Sequence, residues 1–120
     1  MAKNLEVIML YDIYGEMLTQ KQRDFITYYY DDDLSLAEIA ENEGITRQGV
    51  RDAIKRAEFQ LFEFENHLGL KRRYEESKAG LDEIMQLTEV IKEINLNTVL
   101  SREINDAVTR INTIAQMLSQ

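Results

Sequence analysis

Arg47, Gln48, Arg51, Lys55 and Arg56 fall within ten residues that contain one acidic side chain, Asp52. Arginine and glutamine can each make two hydrogen bonds to a base edge, while lysine and arginine at the margin neutralise phosphates. Thr46 is a good N-cap residue, and the helix start that it would mark can hold one phosphate more. The chemistry open to Thr46, Arg47, Gln48, Arg51, Lys55 and Arg56 is contact with duplex DNA. On an isolated helix the same charges would be a solvated face, so their placement decides their meaning.

That placement follows from the segment LSLAEIAENEGITRQGVRDAIKRA. Ser35 with Glu38 has the form of a capping box that starts a short helix, in which Leu36, Ile39 and Ala40 face inward. Gly44 stands where a tight turn needs a positive φ, and Thr46 begins a longer helix. Ala40 must be small where the second helix crosses, and Ile45 with Val50 is expected to be buried and to lock the crossing. This is the spacing of a helix-turn-helix over about Leu36 to Lys55, with Glu43 in place of a more usual apolar residue. Arg47, Gln48 and Arg51 then face solvent on the second helix. Val50, Ala53, Ile54, Ala57, Leu61 and Phe64 form its buried stripe, which runs on until Gly69.

Around the motif, helix signals account for the rest of the chain. Leu5, Ile8 and Met9, with Asp12 and Ile13, give a first helix over residues 4–14 that Gly15 should stop. Thr19 with Gln22 forms another capping box, opening a second helix over residues 20–30 with Phe25, Ile26 and Tyr29 inward. Asp31, Asp32 and Asp33 close it through repulsion with the helix C-terminus. After Gly69, Lys71-Arg72-Arg73 opens an amphipathic stretch to Ile94 with Leu81, Ile84, Leu87, Ile91 and Ile94 as a buried stripe. A break at residues 95–97 and a cap at Asn97 or Ser101 precede a last helix, Thr98 to Leu118. Its stripe is Leu100, Ile104, Val108, Ile111, Ala115 and Leu118. The two stripes should pack on each other or on another subunit. Met85, Val90, Val99, Ile114 and Met117 add apolar surface beyond one seam, which favours a homodimer that sets two recognition helices side by side.

Composition agrees with an all-α chain: 120 residues with no proline, five glycines and 44% hydrophobic residues. The expected organisation is a helix-turn-helix domain over residues 1–69 and a C-terminal helical extension over 70–120 that mediates dimerisation. No apolar run is long enough for a membrane span and no leader is evident, so the expected location is the cytoplasm. The absence of cysteine excludes disulfides and thiolate chemistry. The net charge is −8, but residues 1–46 carry 3 basic and 10 acidic side chains while residues 47–56 carry 4 basic and 1 acidic. Positive charge is concentrated in the candidate recognition segment.

LTQKQRDFITYYYDDDLSLAEIAENEGITRQGVRDAIKRA resembles the fourth region of bacterial sigma-70-type factors, including the helix ahead of the motif. Over nearly the whole length, from LYDIYGEMLTQKQRDFITYYYDDDLSLAEIA to the acidic helical C-terminal half, the chain resembles the YlxM family. The order of the Tyr14-Gly15 stop, the Leu18 to Gln22 entry and the helix-turn-helix makes that resemblance specific. It implies a small DNA-binding protein of Gram-positive bacteria, with a regulatory or accessory role in protein targeting, because such genes tend to adjoin those of the signal recognition particle.

Other chemistries have weaker support. The triple aspartate lacks the spaced ligands and glycine of a calcium loop and reads as a polar connector. Tyr28, Tyr29 and Tyr30 point in different directions around a helix, so one or two belong to the core. His67 alone makes neither a catalytic dyad nor a zinc set, and no glycine-rich phosphate loop is present. No enzyme activity and no cofactor are expected. Two functions remain: a dimeric DNA-binding regulator, and a non-DNA accessory or scaffold that binds signal recognition particle protein or RNA.

Overall fold

The computed structural model describes residues 1–120, which form helices without strands. The chain divides into two compact units, Met1–Lys71 and Arg72–Gln120. The first contains α1 (Leu5–Tyr14), α2 (Gln20–Ile26), α3 (Leu36–Glu43) and α4 (Arg47–Leu68); the second is built from most of α5 (Leu70–Asn97) and all of α6 (Arg102–Leu118).

Each of α1 to α4 starts on a side-chain cap that its sequence supplies. Thr19 Oγ1 accepts from the Gln22 amide at 3.2 Å and the Gln22 side chain accepts from the Thr19 amide at 3.1 Å. Ser35 and Glu38 repeat that reciprocal box ahead of α3, so donors that a helix N-terminus leaves orphaned are satisfied locally. Gly44 takes φ 70° at the end of α3, a left-handed conformation that costs glycine little. Thr46 Oγ1 then caps α4 by accepting from Gly49 at 3.0 Å. At its far end α4 stops on Gly69, also left-handed with φ 63°.

The core joins α1 and α2 to the helix-turn-helix: Val7, Leu10, Tyr14, Phe25, Ile26 and Tyr29 pack with Ile39, Ala40, Val50, Ile54, Ala57 and Leu61. This buries the expected α4 stripe, with Ala53 and Phe64 partly covered at its edges. Tyr29 is the buried member of the tyrosine triplet, while Tyr28 and Tyr30 are half-buried against the same core.

Four local expectations are corrected. In α1 the stripe Leu5, Ile8, Met9 and Ile13 faces solvent, and Val7, Leu10 and Tyr14 are the buried side. LEVIMLYDIY is apolar nearly all round, so its periodicity does not choose a face and packing on α4 does. Gly15 is not a left-handed stop: with φ −54° it continues into a 3₁₀ turn through Met17. A side chain there would meet the Tyr11 ring at about 3.1 Å. The second helix keeps α geometry only to Ile26 and widens into a π-helical turn over Thr27–Asp31. Ile45 is 41% exposed, lying over Gly49 instead of entering the crossing, because it occupies the turn between Gly44 and the Thr46 cap.

One buried hydroxyl ties the unit together. Tyr14 donates to Glu65 Oε1 at 2.7 Å and accepts from the Leu70 amide at 3.0 Å, and the same carboxylate oxygen accepts from the Lys71 amide. Burial, then the hydrogen bond to Glu65, pushes the phenol above its ordinary pKa, so it stays a donor at neutral pH. Tyr14→Phe should therefore destabilise the chain by about 1 to 3 kcal/mol in urea unfolding, since it strands the Leu70 backbone donor and removes one of the bonds to Glu65. An unchanged midpoint would show that water replaces the hydroxyl at no cost.

In the second unit α5 and α6 form an antiparallel hairpin whose turn is built by Asn95. Its side-chain amide donates to the Ser101 carbonyl at 2.7 Å and its side-chain oxygen accepts from the Ser101 amide at 2.9 Å. Leu100 closes the turn with a bond from its amide to the Asn95 carbonyl, at the left-handed φ of 54° that is costly for leucine. Ser101 caps α6, so that helix begins at Arg102 rather than Thr98, and α5 runs through Asn97 rather than ending at Ile94.

The hairpin seam keeps Val108 and Ala115 of the expected stripes and otherwise differs from them. Thr88, Asn95, Val108 and Ala115 are its buried residues, and Asn112 donates to Thr88 Oγ1 across it at 2.9 Å. Ile84, Leu87, Ile91 and Ile94 of α5 are exposed, as are Leu100, Ile104, Ile111 and Leu118 of α6. Leu81 and Met85 are half-buried at the seam's edge. Small, polar and β-branched side chains fill the seam, and the wider aliphatic residues lie to its side.

Candidate nucleic-acid interface

The inward turn of Val50, Ile54, Ala57 and Leu61 fixes the rotation of α4 and hence what its other side presents. Arg47, Arg51 and Lys55 follow one another at four-residue intervals, so they line one strip of the helix, with Gln48 beside it. All of them, with Thr46 and Arg56, are exposed. The six sequence candidates are thus placed at the start and on the outer sides of the second helix of a helix-turn-helix.

They do not form one uniform set. The Gln48 amide donates one of its two hydrogens to Asp52 Oδ1 at 3.0 Å, which leaves its carbonyl and its second N–H for a base edge. Thr46 uses its hydroxyl oxygen to cap α4, leaving its proton as the group it can offer a phosphate. Arg56 is turned away from the Arg47–Arg51–Lys55 strip toward α2. There it lines a shallow hollow with Thr19, Lys21, Gln22, Phe25 and Ala53. That position suits a flanking phosphate better than a base edge.

Two residues outside the sequence candidates adjoin this surface. Lys21, exposed in the first turn of α2, shares the Arg56 hollow and adds a second cation to it. Phe59 is 64% exposed, seven residues beyond Asp52 and four beyond Lys55 on the outer side of α4. The signal for Phe59 is that it falls off the Val50–Ile54–Ala57–Leu61 stripe although it is the larger side chain. For Lys21 the signal is faint, since only its fold neighbours show its relation to Arg56.

The electrostatics are strongly one-sided. Helix α3 exposes Glu38, Glu41 and Glu43 and carries no basic residue. The Glu43 charge is the main cause of an upward shift at Tyr28, with desolvation and Asp24 adding to it. The Asp31–Asp33 run ends the preceding helix, and Asp33 pairs with Lys3, whose hydrogen bond holds that carboxyl below its ordinary pKa. Tyr30 is pushed up to about 12, chiefly by burial, and donates to Glu58 at 2.9 Å. His67 sits exposed in the last turn of α4, 3.6 Å from Glu63. Lys71 lies 3.8 Å from Glu6, so the first cation of the 71–73 cluster is engaged within its own unit. No helix is long and apolar enough to cross a membrane.

Comparison with known proteins agrees with this architecture. Residues 1–99 match the model of a family described as "Putative helix-turn-helix protein, YlxM / p13 like", UPF0122. A UPF0122 protein of Thermoanaerobacter sp. (strain X514) is 48% identical over 89 residues, covering 74% of this chain and 76% of that protein. One of Exiguobacterium sibiricum is 49% identical over 78 residues, with 65% and 74% covered. A longer match, at 36% identity over 107 residues, spans 88% of this chain and 91% of a UPF0122 protein of Listeria innocua. The family match ends at the turn between α5 and α6, so α6 lies outside it.

Proposed function

The chain belongs to the UPF0122 family of YlxM/p13-like helix-turn-helix proteins, and from that premise we propose that it is a DNA-binding regulatory protein, acting as a homodimer in the cytoplasm. The observation that carries this reading is the outer side of α4, which exposes Arg47, Arg51 and Lys55 in one strip on the second helix of the motif. A helix so placed enters the major groove with its N-terminal half against base edges. Arg51 and Gln48 are the base-reading candidates; Thr46, Arg47, Lys55 and Arg56 hold phosphates, with Lys21 beside Arg56. Residues 70–120 provide the pairing. The family resemblance adds a place for the regulator in protein targeting by the signal recognition particle.

A second reading has its own support. The first helix of the motif is acidic and the net charge is −8, so the usual backbone contacts of that helix would meet repulsion. An accessory that docks on signal recognition particle protein or RNA would use the same fold without entering a DNA groove.

Salt dependence separates the two. With phosphate contacts confined to α4 and the start of α2, three to four cations per chain should give log K against log salt a slope of roughly −3 per chain on duplex DNA. The regulator also predicts preference for one sequence over random duplex at fixed salt. Equal or tighter binding to the particle's RNA or protein, with no sequence preference on duplex DNA, would favour the accessory.

A further inference from the structure

The aliphatic residues displaced from the hairpin seam are not scattered. With Thr88 as the inward reference on α5, Ile84, Leu87, Ile91 and Ile94 fall within one sector to the same side of it, at 3.6 residues per turn. With Val108 as the reference on α6, Ile104, Ile111, Ile114 and Leu118 fall in the equivalent sector. Because the two helices run antiparallel, equal rotations in the same sense bring both sectors to one face of the hairpin. All eight side chains are between 39% and 66% exposed. Together they present on the order of 700 Å² of apolar surface, more than the largest patch of a typical monomer and near the ~800 Å² each partner buries in a stable interface.

We infer that this face is covered by the same face of a second copy, so that two α5–α6 hairpins close into an antiparallel four-helix bundle. A second copy fits for a reason beyond area. A flat sheet of aliphatic residues from two antiparallel helices is self-complementary: a two-fold axis parallel to the helices lays α5 of each copy on α6 of the other, and every neighbouring pair is antiparallel. The inference rests on the pairing part of the proposed function and stands independently of DNA binding.

The test is solution mass of the full chain by light scattering, with DNA affinity measured on the same samples. The intact chain should be a dimer at 10 μM. Ile91→Glu should raise the dimer dissociation constant at least a hundredfold while keeping the helical circular dichroism, because Ile91 is outside both the core and the seam. An intact chain that is a monomer at 10 μM, or an Ile91→Glu variant that still dimerises, would overturn the inference. A dimer with these responses and no duplex binding would uphold the interface while removing the DNA-binding reading.

Discussion

Ile54→Ala is expected to cost about 2 to 5 kcal/mol of stability, enough to unfold a large share of a domain of ordinary marginal stability. Ile54 is fully buried in the cluster that holds α4 against α1, α2 and α3. Removing its outer carbons leaves a cavity with rigid helices on every side, and the small Ala40 and Ala57 nearby cannot spread to fill it. Ile45→Ala supplies the contrast. At 41% exposure Ile45 forfeits little buried area, so its truncation should cost under about 1 kcal/mol. Urea unfolding followed through tyrosine near-ultraviolet dichroism reads both, because five of the six tyrosines lie in residues 1–71. Equal losses from the two variants would place Ile45 in the crossing and refute the orientation described for it.

The contrast between those isoleucines shows where the sequence is legible and where it is not. Caps are local, so Thr19 with Gln22, Ser35 with Glu38, Gly44 and Thr46 announce their helices, and each does in the structure what its type allows. A long helix with a clean polar side, such as α4, also declares its rotation, which is why Arg47, Gln48 and Arg51 can be placed outward from spacing alone. Helix α1 declares nothing of the kind. Either side of LEVIMLYDIY could be buried, and only the shape of its partner decides for Val7, Leu10 and Tyr14.

The hairpin defeats pattern reading differently. Spacing treats an aliphatic stripe as core, yet the seam between α5 and α6 keeps only Val108 and Ala115 of the expected stripes and adds Thr88, Asn95 and Asn112. Thr88 donates to the Met85 carbonyl of its own helix and accepts from Asn112 across the seam, and Asn95 bonds the turn that it builds. Polar residues whose partners are distant in sequence carry no periodic signal, so the stripe was legible while its role was not. The π-helical turn at Thr27–Asp31 leaves no mark in composition either. Beside the candidate interface, Phe59 falls off the buried stripe of α4, and Lys21 joins Arg56 only once α2 is laid beside α4.

Arg51→Ala tests the functional reading most directly. Arg51 occupies the middle of the exposed strip, with Arg47 and Lys55 one turn away on either side, where a helix lying in the major groove brings a side chain closest to the base edges. If its guanidinium makes a bidentate contact to a guanine, its loss should cost about 1 to 3 kcal/mol on the preferred sequence, a weakening of roughly 5- to 150-fold. Affinity for random duplex should fall much less, so the preference itself collapses. Lys55→Ala should behave differently: a phosphate contact carries no sequence information, so binding should weaken on every duplex and the salt slope should become shallower by about 1. Titrating both variants against preferred and random duplexes at several salt concentrations separates the roles. The substitutions are at exposed positions of a well-capped helix, so the fold should survive them and a loss of binding can be assigned to the contact. If Arg51→Ala keeps full affinity and preference on duplex DNA, α4 does not read bases through this strip. The same side chains would then serve as an electrostatic surface for a protein or RNA of the targeting machinery.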